Sequence, residues 1–245
     1  MSLYRACRTP AAPSADGAPQ FFSRTSGEFA DGYRLRPEFR ERFAVWSALL
    51  DKYAVGRDSA LDLGCGSGIF SFYLAGKGLK VTGVDAADQM IALCEKEKAA
   101  KGVVNATFVN DRIPDLRAGV IPTHVSLLIS SSVLEYVEDL EGALTLIGSK
   151  LEKGGVAIIS MPNPRSLHRR AERLVYRLTG RPSYYAYVRH LLTPEDLAAR
   201  FLGHGLAHIE TQYYAHAALI SRGARHLGLG ARFTENLYVL VLRKA

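Results

Sequence analysis

Cysteine is scarce in this chain of 245 residues: Cys7, Cys65 and Cys94 are the only three. An odd number with no close pair gives neither a disulfide framework nor a zinc-ligand spacing, so no metal is expected and a cytoplasmic, reducing setting is. Long apolar runs are missing as well. Nothing reaches the ~18 to 20 residues that cross a bilayer, which excludes a spanning helix but not peripheral contact with a membrane. The first twenty residues have no continuous apolar core, which argues against a secretory signal; 1–20 is expected to be a mobile tail. Acidic residues are outnumbered, 24 Asp and Glu against 31 Lys and Arg, and the net charge of +7 suits an acidic partner: nucleic acid, anionic lipid or a carboxylated substrate.

What is present is ordinary globular material, 48% hydrophobic and 22% charged, enough for one large core, so 21–245 is read as a single domain. Phe39, Phe43, Trp46 and Leu49 or Leu50 recur at three- and four-residue steps, a packing stripe within aromatic and charged helical material over 21–53. From residue 60 the texture alternates. Short apolar strands are expected at 60–63, 80–85, 106–110, 125–129 and 156–160, separated mostly by helical segments such as 69–75 and 88–101. That rhythm specifies an α/β fold, a doubly wound and mostly parallel sheet. After Met161 it breaks into an arginine- and tyrosine-rich stretch, about 162–192, expected to be an inserted helical lid. A helix at 194–202, with Thr193 as N-cap and Pro194 in its first turn, and strands at 208–214 and 235–242 follow.

The first strand runs into Asp62-Leu63-Gly64-Cys65-Gly66-Ser67-Gly68, and a helix follows directly. Glycines there tolerate positive φ and let a ligand approach bare backbone. Asp85 ends the next strand, where a carboxylate can accept from both hydroxyls of a ribose, so a nucleoside-containing cofactor is expected. Ile69, Phe70 and Ser71 follow Gly68, so the third glycine of a dinucleotide loop is absent. Asp62 would repel a pyrophosphate but attract an ammonium group.

The segment 61–68 resembles the first motif of class I S-adenosylmethionine-dependent methyltransferases, and the likeness extends over 21–244. The resemblance implies a Rossmann-like fold of seven strands ending in a reversed hairpin, with S-adenosyl-L-methionine as cofactor. It places Gly64, Gly66 and Gly68 against the methionine part, Asp85 on the ribose and Asp111 near the adenine amine. Asp62, Cys65, Arg112 and Ser130 complete the expected cofactor set. The alternative for Asp111 is a turn residue opening the loop after it. Ser130-Ser131-Ser132-Val133-Leu134-Glu135-Tyr136 is similar to a family segment beside the sulfonium, although many relatives carry histidine where Tyr136 stands.

Methyl transfer mainly needs alignment in a dry pocket, and a hydroxyl acceptor would gain from a base. Candidates are His190, Glu135, Tyr136 and His168; none is fixed by spacing. The insertion holds Arg165, Arg169, Arg170, Arg173, Arg177, Arg181 and Arg189 against Glu172 alone, a surplus of six charges that nearly equals the whole. With Leu167, Leu174, Val175 and Leu178, 166–178 reads as an amphipathic helix able to close a pocket, bind an anionic substrate, rest on a membrane or simply be solvated.

The resulting expectation is O-methylation of a small molecule, anionic or lipophilic, of the kind resembling the ubiquinone-pathway O-methyltransferases. Nucleic acid is disfavoured because Ser-Ser-Ser-Val replaces the Asn-Pro-Pro-Tyr type of segment. A cofactor-binding protein without transferase activity and an NAD-dependent dehydrogenase remain alternatives.

Overall fold

A computed structural model describes residues 17–24, 37–117, 119–216 and 228–245. Its elements, in chain order, are α1 (Gly17–Arg24), α2 (Pro37–Tyr53), β1 (Ser59–Leu63), α3 (Ile69–Gly76), β2 (Lys80–Asp85), α4 (Asp88–Lys101), β3 (Ala106–Asn110), β4 (Val125–Ser131), α5 (Leu140–Lys150) and β5 (Leu151–Pro162). They continue with α6 (Leu167–Thr179), a 3₁₀ turn (Ser183–Tyr187), α7 (Pro194–Gly203), β6 (Leu206–His216), α8 (Ala231–Thr234) and β7 (Glu235–Lys244).

The seven strands lie in the order β3-β2-β1-β4-β5-β7-β6, with β7 antiparallel to both neighbours. The strand period of two divides their side chains between two cores. Ala60, Leu127, Ile129, Val156, Ile158, Val239 and Val241 face one side, where Trp46 and Leu50 of α2 and Phe70 and Leu74 of α3 cover them. Leu61, Leu63, Leu128, Ala157, Ile159, Tyr238 and Leu240 face the other, under α5 and α7. Burial of each large aliphatic side chain stabilises the sheet by about 1.5–3 kcal/mol, which explains why the central strands read as unbroken apolar runs.

Local chemistry sets the helix ends. Asp139 accepts from Gly142 N at 2.9 Å to start α5, Thr193 accepts from Asp196 N at 3.2 Å to start α7, and α4 stops at Gly102 with φ 63°. Gly154 and Gly155 lie in a bulge inside β5: the ladder pairs Val125 with Leu151 and then Leu127 with Val156.

The strand expected at 156–160 begins at Leu151, and two boundaries near the N-terminus also differ from expectation. The helical material expected over 21–53 is two helices, with 25–36 outside the described residues. And α1 begins at Gly17, inside the stretch expected as tail, because Phe21 and Phe22 anchor it: their rings lie 5.2 Å from Tyr187 and 5.1 Å from Tyr136. Residues 1–16 lie outside the described residues. Among those described, no helix is long and apolar enough to cross a membrane.

Candidate active site

In an open α/β sheet the crevice forms at the carboxyl ends of strands where chain order reverses, here between β1 and β4. A cavity of about 320 Å³ lies there. Its floor is the loop after β1. Gly64 N and Cys65 N both donate to Val84 O, at 2.7 and 2.9 Å, and Gly66 N donates to Asp85 Oδ2 at 2.8 Å. Gly64 has φ 73°, and a Cβ there would fall 2.2 Å from Val133 Cγ2, so the loop can approach the segment after β4 only because that atom is missing.

Asp85 accepts a second backbone bond from Ala87 N at 2.8 Å, which leaves lone pairs on both oxygens for a ligand. Burial raises its pKa, against the two backbone N–H groups that lower it. Asp111 also lines the cavity while holding the next loop, accepting from Arg112 N at 3.0 Å and Arg117 N at 2.8 Å. Burial works to raise its pKa, but those amides and the Arg117 guanidinium outweigh it and the net shift is downward. The turn reading of Asp111 thus describes contacts that its side chain makes, while its place in the cavity wall keeps it within reach of a ligand.

Of the expected cofactor residues, Gly64, Gly66, Asp85, Asp111 and Arg112 come together in the wall. Four others lie beneath or beside it. Asp62 is 1% exposed, is bonded by Ser71 Oγ at 2.6 Å, does not line the cavity, and is pushed up to about 7 by burial. Cys65 is buried, and Gly68 packs toward Cys94 and Phe72. Ser130 donates to Leu63 O at 3.0 Å, tying β4 to β1.

The candidate bases separate too. Tyr136 is in the wall, but burial, then Glu135, hold its hydroxyl well above the usual range, so at neutral pH it stays protonated and does not act as a base. Glu135 is 1% exposed, does not line the cavity, leaves Oε2 without a hydrogen bond, and is pushed up to about 7 by burial. His190 lies in a second, open hollow, with Nε2 3.0 Å from Val137 O; its backbone N and that of Arg189 both donate to Glu135 O. His168 lies on α6, 3.6 Å from Glu172.

The insertion expected to act as a lid contributes no residue to the cavity wall; Ala18, Pro19 and Phe22 of α1 occupy that place. Sequence reasoning missed α1, and it missed Arg42, whose Nη2 donates to Ser131 O at 2.9 Å. Arg42 stands four residues before the fully buried Trp46, and a cation on the packing stripe was the available signal. Ser132, also in the wall, holds φ 59°, an uncommon conformation for a residue with a Cβ that marks the turn out of β4.

Comparison with known proteins decides the family: a profile described as a methyltransferase domain matches residues 38–211, more than half of the chain. The chain belongs to the methyltransferase-domain family. The residues present fit S-adenosyl-L-methionine: bare backbone at Gly64 and Gly66, a two-oxygen acceptor at Asp85 and a wall with more carboxylates than cations. This methyltransferase is 26% identical over 137 residues to the ubiquinone biosynthesis O-methyltransferase of Rickettsia felis, an alignment covering 56% of this chain and 54% of that protein. The chain thus spans about half the length of the curated relatives it matches. In structure it is similar to the [4+2]-cyclase SpnF, with TM-score 0.70, 13% identity and coverage of 96% and 97% of the two chains. It is also similar to the N-methyltransferase NodS of Bradyrhizobium japonicum in complex with S-adenosyl-L-homocysteine, with TM-score 0.64, 18% identity and coverage of 92% and 97%. At such identities the likeness speaks for the shared fold.

Proposed function

We propose that this methyltransferase transfers the methyl group of S-adenosyl-L-methionine to an oxygen of a small acceptor, a phenol or another readily ionised hydroxyl. One observation carries the reading: a protein of net charge +7 lines this cavity with five carboxylates, Asp85, Asp111, Asp115, Glu138 and Asp139, against the guanidinium groups of Arg42 and Arg112. Such a wall favours a cationic nucleoside and disfavours a pyrophosphate. When bound, the cofactor supplies a methyl group already activated by its sulfonium.

Gly64 and Gly66 would hold the methionine portion, with Arg42 matched to its carboxylate. Asp85 would accept the ribose hydroxyls; Met90 and Ile113 would flank the adenine beside Asp111. Phe22, Val133 and Tyr136 line the same cavity with apolar surface that excludes water, and alignment in such surroundings supplies several kcal/mol of rate enhancement. Tyr136 stays protonated, and Glu135 and His190 lie outside the wall, so the acceptor's own acidity governs when its oxygen is ready. The O-methyltransferase among the relatives supports oxygen as the acceptor atom.

Methyl transfer to a series of phenols of graded acidity tests this. The rise of kcat/KM with pH should track each phenol's own pKa, and His190→Ala and Glu135→Gln should stay within about threefold of the parent, far below the 10²-fold or more that a general base contributes. One pKa common to all acceptors, lost in either variant, would contradict the reading. Binding of S-adenosylhomocysteine without turnover of any acceptor would favour a cofactor-binding protein that transfers nothing.

A further inference from the structure

The helix α6 is mounted inside out. Ser166 caps it and donates to Asn236 Oδ1 at 2.8 Å, and its inner side is polar. There Arg169 Nη1 meets Glu172 at 2.9 Å and the Tyr184 hydroxyl, Tyr185 OH donates to Arg169 O at 3.4 Å, and Tyr176 stacks on Tyr185 at 5.6 Å. None of its residues is buried. At 3.6 residues per turn, Leu167, Ala171, Leu174, Val175 and Leu178 fall within an arc of about 100° on the opposite side. The three distal members of that stripe are open to solvent, Leu174 at 59%, Val175 at 49% and Leu178 at 74%. Arg170 and Arg177 run along one edge of it, half-buried Arg173 lies further round toward the inner side, and Arg181 follows the Gly180 cap; among the described residues none of these four has an ion-pair partner.

We infer that the outer face of α6 is a docking surface for an anionic phospholipid bilayer. An aliphatic ridge flanked by arginines is the composition of a helix that lies in the membrane plane, its side chains in the acyl boundary and its guanidinium groups among the phosphates. Charge complementarity selects the occupant. A second copy of this chain would bring two unpaired arginine rows together, which costs free energy instead of releasing it. A protein partner would need the 20 to 30 residues and aromatic anchors typical of a stable interface, whereas this ridge offers a few aliphatic side chains on a convex surface. The arrangement also accounts for the contact that the insertion does make: its polar inner side is spent on Asn236 and the tyrosines, which leaves the apolar side facing outward.

The test is co-sedimentation of the full chain with vesicles of phosphatidylcholine alone and of phosphatidylcholine containing about one third phosphatidylglycerol, at low and high salt. The expected result is binding to the anionic vesicles only, weakened by salt. Leu174→Gln with Leu178→Gln should abolish it. Because each arginine near an anionic surface is worth roughly fivefold, Arg170→Gln, Arg173→Gln and Arg177→Gln together should reduce partitioning on the order of 100-fold. Both variants should bind S-adenosylhomocysteine like the parent, which shows that they fold. A Leu178→Trp variant gives a gain of signal, a blue shift of emission on adding anionic vesicles. The proposal is overturned by no binding to anionic vesicles at low salt, by equal binding to neutral ones, or by parental binding in both multiple variants. It is equally overturned if the chain is a dimer that the leucine replacements dissociate, or if an acidic protein and not the vesicles engages the ridge. Loss of S-adenosylhomocysteine binding in the parent would instead refute the functional reading and leave the vesicle result standing.

Discussion

The loop after β1 and the insertion after β5 both flank the carboxyl edge of the sheet, yet they are held by different forces. The loop is clamped by backbone bonds, Gly64 and Cys65 to Val84 and Gly66 to Asp85, above a buried Asp62. The insertion is held by side chains: Arg169, Glu172, Tyr184 and Tyr185 form one network, and Arg165 reaches Glu195 at 2.8 Å. A backbone-clamped loop has one shape and fails when any atom is added. A side-chain-clamped helix tolerates change everywhere except at its few tethers.

The largest expected effect probes the loop. Gly64→Ala adds a Cβ 2.2 Å from Val133 in a left-handed conformation, which costs about 1–2 kcal/mol before the clash is counted. Calorimetry should find no measurable S-adenosylhomocysteine binding, with a lowered melting temperature. Affinity close to parental would mean that the loop is softer than its bonds suggest.

Next is the carboxyl between the two regions. Burial raises Glu135 from 4.5 to about 7, so its protonated form is favoured by the folded chain. That stabilisation is complete below about pH 4.5 and is lost as pH rises through 7, on the order of 3 kcal/mol. Glu135→Gln should therefore melt above the parent at pH 8 and close to it at pH 4.5. A fixed difference across that range would show that the carboxyl does not titrate in the folded state.

Smaller effects separate tether from surface in the insertion. Arg169→Ala should cost about 2 kcal/mol of stability by removing the cation paired with Glu172 and bonded to the Tyr184 hydroxyl, whereas Arg170, Arg173 and Arg177 replaced together should shift it by about 0.5 kcal/mol or less. Thermal melts of the two variants at equal salt make the comparison; equal losses would erase the distinction between inner and outer faces.

The sequence foretold the sheet well because burial on both faces demands apolar runs, and the helices between them carry their own caps. It also foretold the cavity floor at Gly64, Gly66, Asp85 and Asp111, where one atom too many or a misplaced oxygen would be felt. It was less informative one layer away. Asp62, Cys65, Gly68 and Ser130 sit in the right motif, but whether a side chain points to ligand or to core depends on packing between β1, β4 and α3. The roof was hidden for another reason: α1 is composed of small and aromatic residues from a stretch that reads as tail, and it is ordered by Phe21 and Phe22 meeting Tyr187 and Tyr136, which lie more than a hundred residues away in the chain.

Asp85→Ala addresses the whole account, because among the described residues Asp85 is the one side chain both bonded to the glycine turn and open to the cavity. Titration calorimetry of S-adenosylhomocysteine and of NAD into the parent and Asp85→Ala should show saturable binding of the first compound alone, weakened about tenfold or more by the substitution, as the loss of a charged hydrogen-bond acceptor predicts. Tight binding of NAD, or equal affinity of both proteins for S-adenosylhomocysteine, would contradict the assignment of this cavity.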